Sequence, residues 1–169
     1  MNVDEDFADF VRARWSSLYR LAYLLAASPT GAEDLLQTTL EKAYVSWHRI
    51  GQMEYPEAYV RRMLANTLVS SRRRAWHRER TTGTLPEVAG DSAEMPVLDR
   101  SLLWPLVCAL PARQRAVIVL RYYEDLSEAQ IAEALGCAAG TVKSQSSAAI
   151  AALHRALTVA GVAEGVEQG

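Results

Sequence analysis

Apolar residues recur at three- and four-residue intervals along most of the chain, the period of helices that bury one face. Phe7, Phe10, Val11, Leu18, Leu21, Ala22 and Leu25 predict a first helix from Asp4 to about Ala27. Ser28-Pro29 breaks it, and Thr30-Gly31-Ala32-Glu33 has the form of a capping box that opens a second helix to about Trp47. Leu35, Leu36, Leu40, Ala43 and Tyr44 are its expected inward face. Arg49 to Tyr55 reads as a loop. Pro56 suits the first turn of a third helix, which Tyr59, Val60, Met63, Leu64, Thr67 and Leu68 carry into a run of arginines.

The pattern then lapses. Thr81 to Asp99 holds Gly83, Pro86, Gly90 and Pro96 with little periodicity, the signature of a linker. Helical spacing resumes from Leu102 to Leu110 and from Pro111 to Tyr123. Val117-Ile118-Val119-Leu120 could be a strand on propensity, but its setting favours helix. Beyond Leu157 the glycines and scattered acids predict fraying. The expectation is an all-α chain of two small helical domains, residues 1–80 and 101–160. A flexible acidic linker at 81–100 joins them, and a frayed tail follows at 161–169.

Residues 125–144, Asp-Leu-Ser-Glu-Ala-Gln-Ile-Ala-Glu-Ala-Leu-Gly-Cys-Ala-Ala-Gly-Thr-Val-Lys-Ser, have the form of a helix-turn-helix. Ser127 and Gln130 match a capping box. Ile131 and Leu135 share one face, and Gly136 can take the left-handed conformation that ends a helix. A four-residue turn then leads to a second helix opening at Thr141, with Val142 inward and Lys143 and Ser144 outward. A second helix held across the first is the geometry that enters a major groove; an ordinary helical hairpin is the alternative.

Charge sharpens this picture. The net charge of −2 conceals a division: residues 61–80 carry seven arginines against Glu79, net +6, and every other segment is net acidic. Such a local block matters more to a phosphate backbone than the total does. Within it, Arg72-Arg73-Arg74-Ala75-Trp76-His77 adds flat rings on which an unstacked base can lie; a solvated basic helix end with Trp76 in the core is the bland alternative. On the second helix Asp34, Gln37, Thr38 and Glu41 form a polar stripe, either a wet face or a protein-docking one. No Ser/His/Asp set, phosphate-binding glycine loop or metal cluster is visible, so neither an enzyme nor a cofactor is expected. Cys108 and Cys137 read as small buried residues of a reducing cytoplasm. The acidic start lacks a signal-peptide layout, and no apolar run predicts membrane insertion.

Together these segments resemble the extracytoplasmic-function (ECF) group of bacterial sigma factors, and the block from Asn66 to Trp76 is most similar to the actinobacterial SigE-like subgroup. The resemblance implies core RNA polymerase and promoter DNA as partners, with an anti-sigma factor as a further candidate. Residues 33–44 are similar to the helix that docks on the β′ clamp helices, which assigns Asp34, Gln37, Thr38 and Glu41 to polymerase binding. Residues 56–76 are similar to the −10 recognition and melting segment, which assigns Arg61, Arg62, Asn66, Arg72, Arg73, Arg74, Trp76 and His77 to DNA. Residues 110–127 are similar to the start of a domain that meets the β flap and reads the −35 element. The implied −35 contacts are Thr141, Lys143, Ser144, Gln145, Ser147 and Arg155, with the Ser146 hydroxyl beside them. One departure stands out. The family pattern places arginines along the recognition helix, whereas this chain has Ala148 and no arginine before Arg155, so a weak −35 contact is expected. A stand-alone regulator binding an operator as a dimer, and a polymerase-binding scaffold that no longer reads −35 DNA, are the rival readings.

Overall fold

The computed structural model describes residues 2–82 and 103–161, with side chains to residue 71 in the first stretch. The linker expected at 81–100 lies outside the described residues almost entirely, as does the tail after Gly161. Every regular element among the described residues is helical, and the chain divides into two compact units, residues 1–91 and 92–169.

The first unit contains α1 (Val3–Ala26), α2 (Pro29–Val45), the short α3 (Trp47–Ile50) and α4 (Pro56–Thr82). Leu18, Leu21 and Leu25 of α1 meet a core that also buries Leu36, Ile50, Val60 and Leu64. Asn2 caps α1 by accepting from the Asp4 N–H at 3.2 Å, and three acids occupy its first turn, the favoured end of the helix dipole for negative charge. The α1–α2 turn corrects the sequence expectation: Ser28, not Thr30, is the cap. Its Oγ accepts from the Gly31 N–H at 3.1 Å, with Pro29 in the first turn. A Cβ on Gly31 would lie 2.7 Å from that Oγ, so the glycine is what leaves room for the cap. The second helix also ends sooner than expected, at Val45, and Trp47 opens α3 instead, turning Trp47 and Ile50 into the core.

The second unit contains α5 (Leu103–Cys108), α6 (Ala112–Ile118), a π-helical turn (Val119–Tyr123), α7 (Glu128–Leu135) and α8 (Ala139–Val159). Val117, Ile118, Val119 and Leu120 are all buried. Four consecutive buried residues cover every side of a helix, so burial overrides their strand propensity. The π turn interrupts the single helix expected from Pro111 to Tyr123; Asp125, left-handed at φ 53°, then redirects the chain. Arg115 is buried and donates to the carbonyls of Cys108 at 3.1 Å and Leu110 at 3.0 Å, fastening the turn between α5 and α6.

Candidate nucleic-acid and docking faces

The start of α4 is held by one carboxylate. Glu57 pairs with Arg14 of α1 at 3.0 Å and accepts from Ser17 Oγ at 3.1 Å, with Arg61 Nε 3.9 Å away. Arg61 keeps only 20% of its side chain exposed beside this acid, so part of its charge is already balanced. Arg62 is half-buried; Asn66 is exposed and accepts from Ser70 Oγ at 3.3 Å. The α4 backbone stays helical through Arg72, Arg73, Arg74, Trp76 and His77, whose side chains lie outside those described. By helical register, positions 66, 70, 73 and 77 follow one another along one side of α4. Before α4, Tyr55 is 68% exposed and Arg49 donates to the Tyr59 hydroxyl at 3.4 Å. The expected loop is thus shortened by α3 and bordered by two tyrosines and a guanidinium. Neither tyrosine was read as a DNA contact in the sequence, although an exposed ring such as Tyr55 near an arginine is the chemistry of base stacking.

The polar stripe of α2 is divided between two concavities. Asp34 and Thr38 line a 190 Å³ cavity with Ser28 of the cap and Ser71 of α4. Gln37 and Glu41 line a wider groove against α1, and Gln37 donates to Glu41 at 3.4 Å. Tyr44 corrects another expectation: it is 46% exposed instead of inward. The buried face of α2 runs through Leu35, Leu36, Thr39 and Ala43, which leaves Tyr44 at its edge. There its ring meets Phe7 at 5.2 Å between centroids, and its hydroxyl donates to Asp4 at 2.6 Å. That hydrogen bond, and then the charge of Asp4, raise the phenol pKa above its ordinary value. Trp47 donates to Asp6 at 2.9 Å, so two acids of the first α1 turn hold two rings of the following helices.

In the second unit the helix-turn-helix closes as its residues predict. Ser127 Oγ accepts from the Gln130 N–H at 3.2 Å, and Gln130 Oε1 accepts from the Ser127 N–H at 2.9 Å. Gly136 is left-handed at φ 64°, where a side chain would be strained. The second helix begins at Ala139, two residues before Thr141, so the turn is three residues, 136–138. Ala138 supplies no side-chain cap, leaving the positive end of the α8 dipole without one. Lys143, Ser144, Ser147, Ala148 and Arg155 are exposed, whereas Thr141 and Gln145 are half-buried. Val142, Ser146 and Ala149 are buried, which removes the Ser146 hydroxyl from the contacts expected of it.

Comparison with known proteins decides between a generic helix-turn-helix protein and a specific family. Residues 10–78 match the family model for Sigma-70 region 2, and residues 101–157 match that for Sigma-70, region 4. An RNA polymerase sigma-E factor of Streptomyces coelicolor is 40% identical over 152 residues, covering 90% of this chain and 82% of that protein. The ECF RNA polymerase sigma factor SigL of Mycobacterium tuberculosis is 36% identical over 150 residues, covering 86% of this chain and 85% of that one. The chain belongs to the ECF sigma factors of the sigma-70 family. Among solved structures, the sigma factor RpoE of Bartonella quintana, crystallised with the anti-sigma factor NepR, superposes with a TM-score of 0.69 at 28% identity. It covers 92% of this chain and 98% of that one.

Region 2 therefore comprises most of α1 through the arginine-rich part of α4, and region 4 comprises the helix-turn-helix with its supporting helices. Among the described residues no helix is long and apolar enough to cross a membrane.

Proposed function

We propose that this ECF protein is an alternative sigma factor that binds core RNA polymerase and directs promoter-specific initiation in the cytoplasm. The observation that carries this is the order of the two matched regions along one chain, region 2 with its basic helix and region 4 with a capped helix-turn-helix. In this reading the work is binding and positioning. The outward residues of α2 dock on the β′ clamp helices. The second half of α4, aided by the loop after Arg49, holds the separated −10 strand; unstacking costs a few kcal/mol, offset by ring stacking and phosphate contacts. The first two turns of α8 enter the major groove at the −35 element while the unit rests on the β flap. An anti-sigma factor is the regulator to seek, since the Bartonella sigma factor was crystallised with one.

The outward face of α8, with Ala148 exposed and no lysine or arginine between Lys143 and Arg155, supports a subsidiary reading: region 4 positions more than it anchors. In vitro transcription from a supercoiled promoter separates the alternatives. Core polymerase plus this protein initiates at a defined start if it is a sigma factor. A stand-alone repressor only blocks initiation by another sigma factor, and a scaffold binds polymerase without either effect.

A further inference from the structure

Arg121 and Glu128 form an ion pair at the edge of the helix-turn-helix, Nη1 to Oε1 at 3.0 Å. The π-helical turn supplies the arginine: its Val119 and Leu120 are buried, while Arg121 reaches outward beside the exposed ring of Tyr122. The guanidinium lies 5.9 Å from the centre of that ring. Glu128 is the first residue of α7. Around the pair opens a hollow of 690 Å³, bordered also by Asp125 and by the Ser127 and Gln130 of the cap. The charged residues lining it are one arginine and two acids, so the hollow is net negative.

The pair does little for the fold. Arg121 and Glu128 keep 36% and 38% of their side chains exposed, where ion pairs add little stability. The cap of α7 is made by Ser127 and Gln130 without either of them. Its larger consequence is for DNA. When a helix-turn-helix binds a duplex, its second helix lies in the groove and its first crosses the sugar-phosphate backbone. In the proposed complex the start of α7 therefore stands where phosphates pass. A guanidinium there is an anchor, and each phosphate it meets releases counterions and adds salt-sensitive affinity. Arg121 must leave its carboxylate before it can take a phosphate, and the acid left behind repels the same strand.

We propose that Glu128 limits the affinity of region 4 for upstream promoter DNA by holding Arg121 away from the phosphate backbone. The proposal rests on the −35 reading of region 4 and gives its weak contact a second cause, beside the missing arginines of α8. Full-length Glu128→Gln and Glu128→Gln/Arg121→Gln proteins, each as holoenzyme with core RNA polymerase, test it across a salt series. The DNAs are the intact promoter, one with a scrambled −35 element and one cut off just upstream of the −10 element. Circular dichroism and thermal unfolding of the free proteins monitor the fold, and Glu128→Ala replaces the glutamine variant if that loses helicity. Glu128→Gln is expected to bind both longer promoters about fivefold tighter, with the salt slope steeper by about 0.9, the increment of one phosphate. The gain is equal with and without the −35 sequence, because phosphate carries none of it. On the cut-off promoter the variant should match the parent, and adding Arg121→Gln should abolish the gain. A loosened fold does not produce tighter binding, so the expected result is not a structural side effect. Parent-like affinity and slope for Glu128→Gln overturn the proposal. So does a gain that survives the loss of Arg121 or appears on the cut-off promoter. A parent that binds intact and cut-off promoters alike removes the −35 reading together with the proposal, whereas the other failures leave that reading standing.

Discussion

The two helices proposed to meet promoter DNA differ in charge far more than in shape. α4 runs through a block of seven arginines and one glutamate between residues 61 and 80. α8 is the better-framed element: α7 before it has a complete capping box, Gly136 sets the turn, and Val142 and Ala149 anchor it inward. Yet its exposed face offers Lys143, small hydroxyls and Ala148 before Arg155. Helix-turn-helix geometry is set by caps, a glycine and a few apolar contacts. Affinity is set by the outward side chains, so a chain can keep the first and thin out the second. The difference implies that promoter affinity resides mainly in region 2.

The largest test of that division is Arg72→Ala/Arg73→Ala/Arg74→Ala. Losing three phosphate contacts should weaken holoenzyme binding to promoter DNA by at least about tenfold. It should also make the slope of log affinity against log salt shallower by roughly two to three. Fluorescence anisotropy across a salt series measures both; a parent-like slope would remove the arginines from the interface.

Next in size is Ala148→Arg, which adds to α8 what it lacks. Position 148 is exposed one turn beyond Ser144. The variant should tighten binding to a promoter with an intact −35 element by roughly 1–3 kcal/mol if the guanidinium finds a guanine edge. A gain of equal size on a scrambled −35 element would show phosphate contact alone, and no gain would place this face away from the groove.

Ser127→Ala acts on framing and leaves charge untouched. Loss of this cap should cost about 1 kcal/mol. Hydrogen exchange of the α7 amides should then quicken about fivefold while α4 amides keep their protection. The smallest effect is expected from Tyr44→Phe. It removes an exposed hydrogen bond to Asp4 and keeps the ring, so stability should barely change. Because Asp4 raises the folded-state phenol pKa, the bond's contribution is present below the unfolded pKa and lost as pH rises through the folded one. Any difference from the parent should therefore vanish only at strongly alkaline pH, as denaturation curves would show.

What could be read from the sequence, and what could not, follows one physical line. Signals carried by a single local bond were legible: the Ser127–Gln130 box, the Pro56 start of α4 and the left-handed Gly136. Competing local signals were not. Ser28-Pro29 read only as a helix breaker and Thr30–Glu33 as the cap, whereas Ser28 is the cap and Gly31 leaves room for its hydroxyl. Periodicity does not register one extra backbone residue, so the π turn after Ile118 was invisible. Ala138 carries no capping side chain, so nothing marked the true start of α8. For the candidate sites, the outward placement of Lys143 and Ser144 followed from register, and Ser147 and Arg155, named from the family resemblance, are exposed as well. The burial of Ser146 and the balancing of Arg61 by Glu57 depend on neighbours from other turns and elements.

The central claim, that region 2 and not region 4 dominates promoter affinity, is tested most directly with one holoenzyme and three promoters. Binding is measured to the intact promoter, to one with a scrambled −10 element and to one with a scrambled −35 element, at the same salt. The expected result is a large loss for the scrambled −10 element and a loss below about tenfold for the scrambled −35 element, the scale of a single base contact. A greater loss from scrambling the −35 element would contradict the claim and return recognition to α8.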